Sequence, residues 1–276
     1  MPSDLDAIAG RLIAAFDSAT PIDPITAADP DFTVAQAYDV LAIVEARRRA
    51  QGWRPVGRKI GFTNRTIWPR YGVYRPMWAH TWEHSVHHAK DGRATLPLAG
   101  LLEPRLEPEV VFHLSAPLAP TDDALEVLAA VDWIAPGFEI VQSPFPGWKF
   151  QAPDCTAACG LHGALVVGAP LAVTAANRAA LAAALPAFEA TLYKGDAAVD
   201  RQIMDSGLGA NVLDSPALAL ATLARVLADL PQFPPLAAGE TVTTGTLTDA
   251  WPVAPGETWS AGYGGLGLEG LTVTFE

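Results

Sequence analysis

Residues 104–114 read Pro-Arg-Leu-Glu-Pro-Glu-Val-Val-Phe-His-Leu, and residues 133–141 read Trp-Ile-Ala-Pro-Gly-Phe-Glu-Ile-Val. Both are short apolar runs, rich in β-branched and aromatic residues and punctuated by proline or glycine, a signature of strands divided by turns. In the first, Glu107 and Glu109 stand two residues apart, so a strand points both carboxylates to one face. Like charges held that close repel and raise each other's pKa unless a cation lies between them. In the second, Glu139 interrupts an apolar strand, where a charged group needs a partner. Three carboxylates without a thiolate suit a hard, oxygen-seeking divalent ion, Mg²⁺ or Mn²⁺. The competing reading leaves Glu107, Glu109 and Glu139 on solvated strand faces.

The same texture continues outward. Runs at 58–62, 163–168, 188–195, 241–247, 258–263 and 271–275 alternate with glycine and proline and read as further strands. The first 50 or so residues differ. Ile8, Leu12, Ile13 and Phe16 recur at helical spacing, and Val34, Ala37, Tyr38, Leu41 and Val44 form the stripe of a helix over 33–49 that Asp31 can cap. Two more helices are expected over 174–185, behind Thr174, and over 215–230, with Pro216 after the cap. The strands are too many and too unevenly spaced for a βαβ repeat. The expectation is an α+β fold in one continuous structural unit, a helical N-terminal segment over 1–55 and a β-rich catalytic domain over 56–276.

A chain of 276 residues that is 50% apolar and 17% charged can bury a large core, which excludes disorder as its main state. Thirty acidic against 18 basic residues leave a net charge of −12, a repulsive field for phosphate backbones and anionic membranes. No nucleic-acid partner is expected. An anionic small molecule needs local cations or a metal ion to reverse that field. Cys155 and Cys159 lack zinc-site spacing and read as buried thiols. Asp4 and Asp6 oppose a signal peptide, and prolines and polar residues interrupt the weakly polar tract 163–188. A cytoplasmic protein with no membrane partner is therefore expected. His84, His87 and His88 read as an exposed loop rather than a zinc site.

Lys59 lies in Gly57-Arg-Lys-Ile-Gly-Phe-Thr-Asn64, with glycines on both sides that let a ligand approach the backbone. Beside a metal-bound oxyanion it can stabilise charge or move a proton; the alternative is a snorkelling surface lysine. Trp68, Trp78, Trp82 and Trp148 suit a core or a pocket wall.

These segments, with Asp154, 210–216, 236–245 and the closing 254–267, resemble in order and over nearly the whole chain the fumarylacetoacetate hydrolase superfamily. The resemblance is closest to the branch of 2-keto-4-pentenoate hydratase, 2-oxohept-3-ene-dioate hydratase and 4-oxalocrotonate decarboxylase. It implies a mixed β-roll with peripheral helices and a Mg²⁺ or Mn²⁺ site at Glu107, Glu109 and Glu139. It also implies an active-site Lys59 and substrate contacts at Asp154 and the Thr244-Gly245-Thr246 turn. The implied activity is that of a divalent-metal-dependent lyase on a 2-oxo acid in aromatic-compound catabolism, first a 2-keto-4-pentenoate-type hydratase. The alternatives are a 4-oxalocrotonate-type decarboxylase, an acylpyruvate hydrolase or a catalytically silent 2-oxo acid binding protein. A homo-oligomer is implied as well. Two departures stand out. Met77 occupies a position where hydratases of this branch usually carry an acid, which makes His80 or Glu83 the candidate replacement. The usual Asp-Asn-Ala-Ser loop becomes Ala157-Ala-Cys-Gly-Leu-His162, which brings His162 forward as a possible pocket residue.

Overall fold

In the computed structural model, which describes residues 4–196 and 199–276, the chain opens with helices α1 (Leu5–Asp17), α2 (Ile25–Ala28) and α3 (Val34–Ala50). Thr33, rather than Asp31, caps α3. Its hydroxyl accepts from Gln36 N at 3.2 Å while the Gln36 side chain accepts from Thr33 N at 2.9 Å, satisfying two end donors reciprocally. The later helices are α4 (Trp68–Tyr71), α5 (Ala124–Ala129), α6 (Ala152–Ala157), α7 (Arg178–Ala184) and α8 (Pro216–Ala228). Helix α7 starts later than expected because Asn177 Oδ1 accepts from Thr174 N at 2.7 Å, folding 174–177 into a turn.

The strands in chain order are β1 (Pro55–Gly61), β2 (Met77–Trp82), β3 (Val86–His88), β4 (Arg93–Leu96), β5 (Arg105–Leu114), β6 (Val131–Val141) and β7 (His162–Val167). They continue with β8 (Leu171–Ala172), β9 (Glu189–Gly195), β10 (Arg201–Leu208), β11 (Thr241–Thr243), β12 (Trp251–Pro252), β13 (Thr258–Gly264) and β14 (Leu271–Phe275). The larger sheet runs β2-β1-β11-β5-β6-β7-β3, with β12 on β5 and β8 on β6; the smaller runs β10-β9-β13-β14-β4. Parallel pairs at β1/β11, β3/β7 and β4/β14 make both sheets mixed. The α+β expectation holds, though β2, β3, β4, β8, β10 and β12 were not among the runs read as strands.

Strand alternation places the site. On β5, Leu106, Val110 and Phe112 enter the main core; on β6, Ile134, Phe138 and Ile140 do; on β1, Ile60 does. There they meet α8 leucines and residues of the smaller sheet such as Leu192 and Phe275, each buried side chain contributing about 1.5–3 kcal/mol. Their odd-numbered neighbours Lys59, Glu107, Glu109 and Glu139 therefore emerge on the opposite face. A second apolar cluster joins Leu12, Val40 and Val44 of the N-terminal helices to Phe145, Cys155 and Ala157. This cluster braces α6 and the following loop against that face. Among the described residues, one stretch is long and apolar enough to cross a membrane, Gly209–Ala228, and 67% of its apolar window is buried inside the fold.

Candidate active site

Strands β5 and β6 pair so that Glu107 lies directly opposite Glu139, with Glu109 one alternation further along. One oxygen from each of the three comes within 4.8 Å of the others. Glu109 and Glu139 are fully buried and Glu107 is partly exposed. Like charges directly opposite across a sheet destabilise it unless something compensates them. Protein donors hold one oxygen on each buried carboxylate. Glu109 Oε2 accepts from Thr243 Oγ1 and from Gly245 N at 2.6 Å, and Glu139 Oε1 lies 2.9 Å from His162 Nδ1. The other oxygens, Glu109 Oε1 and Glu139 Oε2, have no hydrogen-bond partner. Glu109 Oε1 is left with no donor and Glu139 Oε2 has only the Lys59 ammonium nearby, at 3.2 Å, so three clustered carboxylates share one local cation and suit a divalent ion. The residues present thus fit the implied ion.

Gly245 delivers its N–H because its φ is +103°, and a Cβ there would sit 1.9 Å from Thr63 Oγ1. Lys59 supplies the local cation. Its Nζ donates to Gly160 O at 2.9 Å and lies 3.2 Å from Glu139 Oε2. Gly160 presents that carbonyl from a left-handed conformation, φ +60°, where a Cβ would come 3.0 Å from Lys59 Cδ. Burial opposes the charge on Lys59, yet Glu139, Glu107 and Glu109 outweigh it and hold its pKa above the usual lysine range. Burial pushes Glu107 up to about 7, and Lys59 offsets this only in part. Glu109 is pushed up by burial and then by Glu139 and Glu107. Glu139 goes the other way: burial would raise it, but Lys59 and His162 win and hold it below the usual range.

Those shifts fix a pH dependence. With Glu107 and Glu109 raised, the folded chain binds more protons than the unfolded one from about pH 4.3 up to the folded pKa values, about 7 for Glu107. The stability they contribute is present below that window and is lost as pH rises through it, while Glu139, shifted down, adds the opposite slope only at lower pH. In chelator, the melting temperature should fall by several degrees from pH 5 to pH 8; with Mg²⁺ present the fall should vanish, because the ion requires ionised ligands. Thermal melts with and without EDTA check this, and identical profiles would contradict it.

A cavity of about 190 Å³ opens beside Glu107 and Lys59, with Phe62, Tyr71, Met77, Trp148 and Phe150 as its apolar wall. Arg105, Thr63 and Thr246 line it as well. The tryptophans divide between the two expected places: Trp78 is fully buried in the main core, Trp68 packs against that core, Trp82 is buried and Trp148 lines the cavity.

Several expected residues lie elsewhere. His80 pairs across β1/β2 with Arg58, not Lys59, so it faces away from the cavity, where its Nδ1 lies 2.6 Å from Glu45 Oε1. Glu83 is exposed and bound to Arg54. Neither can act on a ligand beside Lys59. Asp154 is fully buried and accepts from Thr26 N at 2.9 Å, Thr26 Oγ1 at 2.6 Å and Gln151 N at 2.8 Å, so it ties α2 to α6 rather than facing substrate. Thr244 is buried, its hydroxyl donating to Val110 O at 2.9 Å. Thr246 lines the cavity but donates its hydroxyl to Thr248 O at 2.9 Å, so of this turn Gly245 N–H has the clearest work, on Glu109. His162 stands behind the cavity, between Glu139 and Ser85 Oγ, 2.9 Å from each. The His84 ring packs on Trp53 at 4.1 Å, and His87 and His88 belong to β3 rather than a loop. Burial pushes both thiols, Cys155 and Cys159, up to about 12.

Sequence reasoning missed Arg105. The signal was available: it precedes Glu107 by two residues on the same strand and so shares its face.

A mixed β-fold carrying three inward carboxylates beside a buried lysine defines an enzyme built around a divalent metal. No family model matches the sequence. It is 32% identical over 265 residues, 96% of this chain and 95% of the relative, to 2-hydroxyhexa-2,4-dienoate hydratase of Comamonas testosteroni. The solved structure of 4-oxalocrotonate decarboxylase from Pseudomonas putida G7, complexed with magnesium and adipate, superposes with a TM-score of 0.86 at 26% identity, covering 99% of this chain and 97% of that one. The fold alone is shared with a putative fumarylacetoacetate isomerase/hydrolase from Oleispira antarctica, TM-score 0.56 at 14% identity over 81% of this chain and 95% of that one. The chain belongs to the family of 2-keto-4-pentenoate hydratases and 4-oxalocrotonate decarboxylases and is a lyase.

Proposed function

We propose that this chain is a divalent-metal-dependent lyase that adds water to a conjugated 2-oxo acid. The observation that carries the reading is the meeting of Glu107, Glu109 and Glu139 at one point beside Lys59 and next to the cavity. These three carboxylates would hold Mg²⁺ or Mn²⁺, and the ion would supply the positive charge that draws electrons toward the 2-oxo group as an enolate develops. Lys59 sets a second positive charge beside that point, suited to stabilising the enolate through which ketonisation and hydration pass. Gly245 N–H and Thr243 fix the rotamer of Glu109, and His162 fixes that of Glu139, so the carboxylates are oriented before substrate arrives. Phe62, Tyr71 and Phe150 exclude bulk water from the reacting chain.

Decarboxylation, which shares the same electron sink, is favoured by one observation. Met77 is buried at the cavity wall, its Sδ and Cε close over Gly61, so the position where hydratases of this branch usually carry an acid offers no proton. Product analysis separates the two. Purified, Mg²⁺-loaded protein supplied with 2-hydroxypenta-2,4-dienoate should consume the dienol and form a 4-hydroxy-2-oxo acid without CO₂, and EDTA should stop it. Release of CO₂ from 4-oxalocrotonate instead would establish the carboxy-lyase reading. Turnover of neither, nor of the dicarboxylic dienol 2-hydroxyhepta-2,4-dienedioate, by folded, metal-loaded protein would overturn the lyase assignment of this site.

A further inference from the structure

The cavity has two lining cations, Lys59 and Arg105, and they are in different states. Lys59 is buried and committed to Gly160 O and Glu139. The Arg105 side chain makes no hydrogen bond or ion pair among the described residues and acts on Glu107 only through its longer-range charge, so its five donors are free. It is nevertheless held in place, since its guanidinium lies 4.3 Å from the centre of the Trp148 ring. That ring is itself pinned: Trp148 Nε1 donates to Glu103 O at 3.0 Å, and Gly147 N donates to the Glu103 carboxylate at 2.9 Å. Trp148 also keeps a left-handed backbone, φ +59°, which a bulky residue adopts only where its surroundings impose it. A stacked guanidinium with free, planar donors is preorganised for a carboxylate.

Arg105 and Glu107 share a face of β5, two residues and about 7 Å apart at their backbones, so the stacked guanidinium and the metal ligands serve the same cavity from the same side of the sheet. We infer that Arg105, stacked on Trp148, binds a second carboxylate at the far end of the substrate, so that the site selects 2-oxo dicarboxylic acids over 2-oxo monocarboxylic acids. This rests on the reading of Glu107, Glu109 and Glu139 as the anchor for the 2-oxo end. Charge supports it. In a chain of net charge −12, a second anionic group arriving beside three carboxylates needs its own cation, and Arg105 is the lining cation with donors to spare. Arg105 stabilises that far carboxylate as an anion, an interaction lost if it departed as CO₂, so the geometry suits a carboxylate that stays on through hydration.

The test uses two unreactive probes, 2-oxoadipate and 2-oxopentanoate, titrated calorimetrically into Mg²⁺-loaded full-length protein. Wild type should bind 2-oxoadipate at least about tenfold more tightly. Arg105→Met, which keeps an apolar contact with Trp148, should shrink that gap to below about threefold and leave 2-oxopentanoate binding unchanged. Arg105→Lys, a milder change should the methionine variant fold poorly, should retain part of the gap. The inference is overturned if wild type shows no preference, if the preference survives in both variants, or if both probes weaken equally, which would place Arg105 on the carboxylate they share. Binding is read without turnover, so a chain that prefers 2-oxoadipate through Arg105 yet catalyses nothing would sink the lyase reading and leave this one standing. Turnover without the preference would do the reverse.

Discussion

Lys59→Met should lower kcat by about 10³-fold while divalent-metal affinity stays the same or rises. The two outcomes are opposite because the ammonium plays two electrostatic parts. To a developing enolate it is a fixed positive charge in a site shielded from water, where removal of such a group costs orders of magnitude in rate. To an incoming metal ion it is a like charge 3.2 Å from the ligand Glu139, and like charges near a protein surface interact by a few kcal/mol. Methionine fills similar volume beside Gly160 without a charge. Calorimetric titration with Mn²⁺ and steady-state kinetics on the same samples check both arms. Equal losses of affinity and rate would show that Lys59 acts by holding Glu139 in place rather than on substrate, and full activity would remove it from the mechanism.

The part of the site carried by single-strand alternation was legible in the sequence. Glu107 and Glu109 had to share a face once residues 104–114 formed a strand, and Glu139 needed a partner once 133–141 did. That Glu139 pairs opposite Glu107 depends on register across the β5/β6 hairpin, which neither stretch encodes alone. The same limit explains His80. Residues 77–82 form β2, and its register on β1 sets Ala79 beside Lys59 and His80 beside Arg58, one residue away and on the wrong face. Asp154 and Thr244 were plausible by order along the chain, but their hydrogen bonds are spent on Thr26, Gln151 and Val110 to hold neighbouring elements together. In the opposite direction, Arg105 followed from alternation, but its value as an anion receptor depends on Trp148 folding back from 43 positions away in number to stack on it.

Glu139→Gln should abolish measurable Mg²⁺ binding and lower turnover by at least about 10³-fold, the largest combined loss of any single change near the cavity. The substitution preserves shape but removes the charge that three partners use at once. The metal site loses an anionic ligand, Lys59 loses the nearest counter-charge for its buried ammonium, and His162 Nδ1 faces an amide instead of a carboxylate. Breaking one side of a buried ion pair costs about 3–5 kcal/mol, so the variant should also melt at lower temperature. His162→Asn provides the graded control. Because His162 holds Glu139 from behind and does not line the cavity, its loss should weaken metal binding by only about 10–100-fold, with activity restored by excess metal. Saturating Mg²⁺ should therefore rescue the histidine variant and not the glutamine one. Were Glu139→Gln to bind Mg²⁺ as wild type does, the buried carboxylate cluster would be a structural ion network held by Lys59, and the metal would have to sit elsewhere.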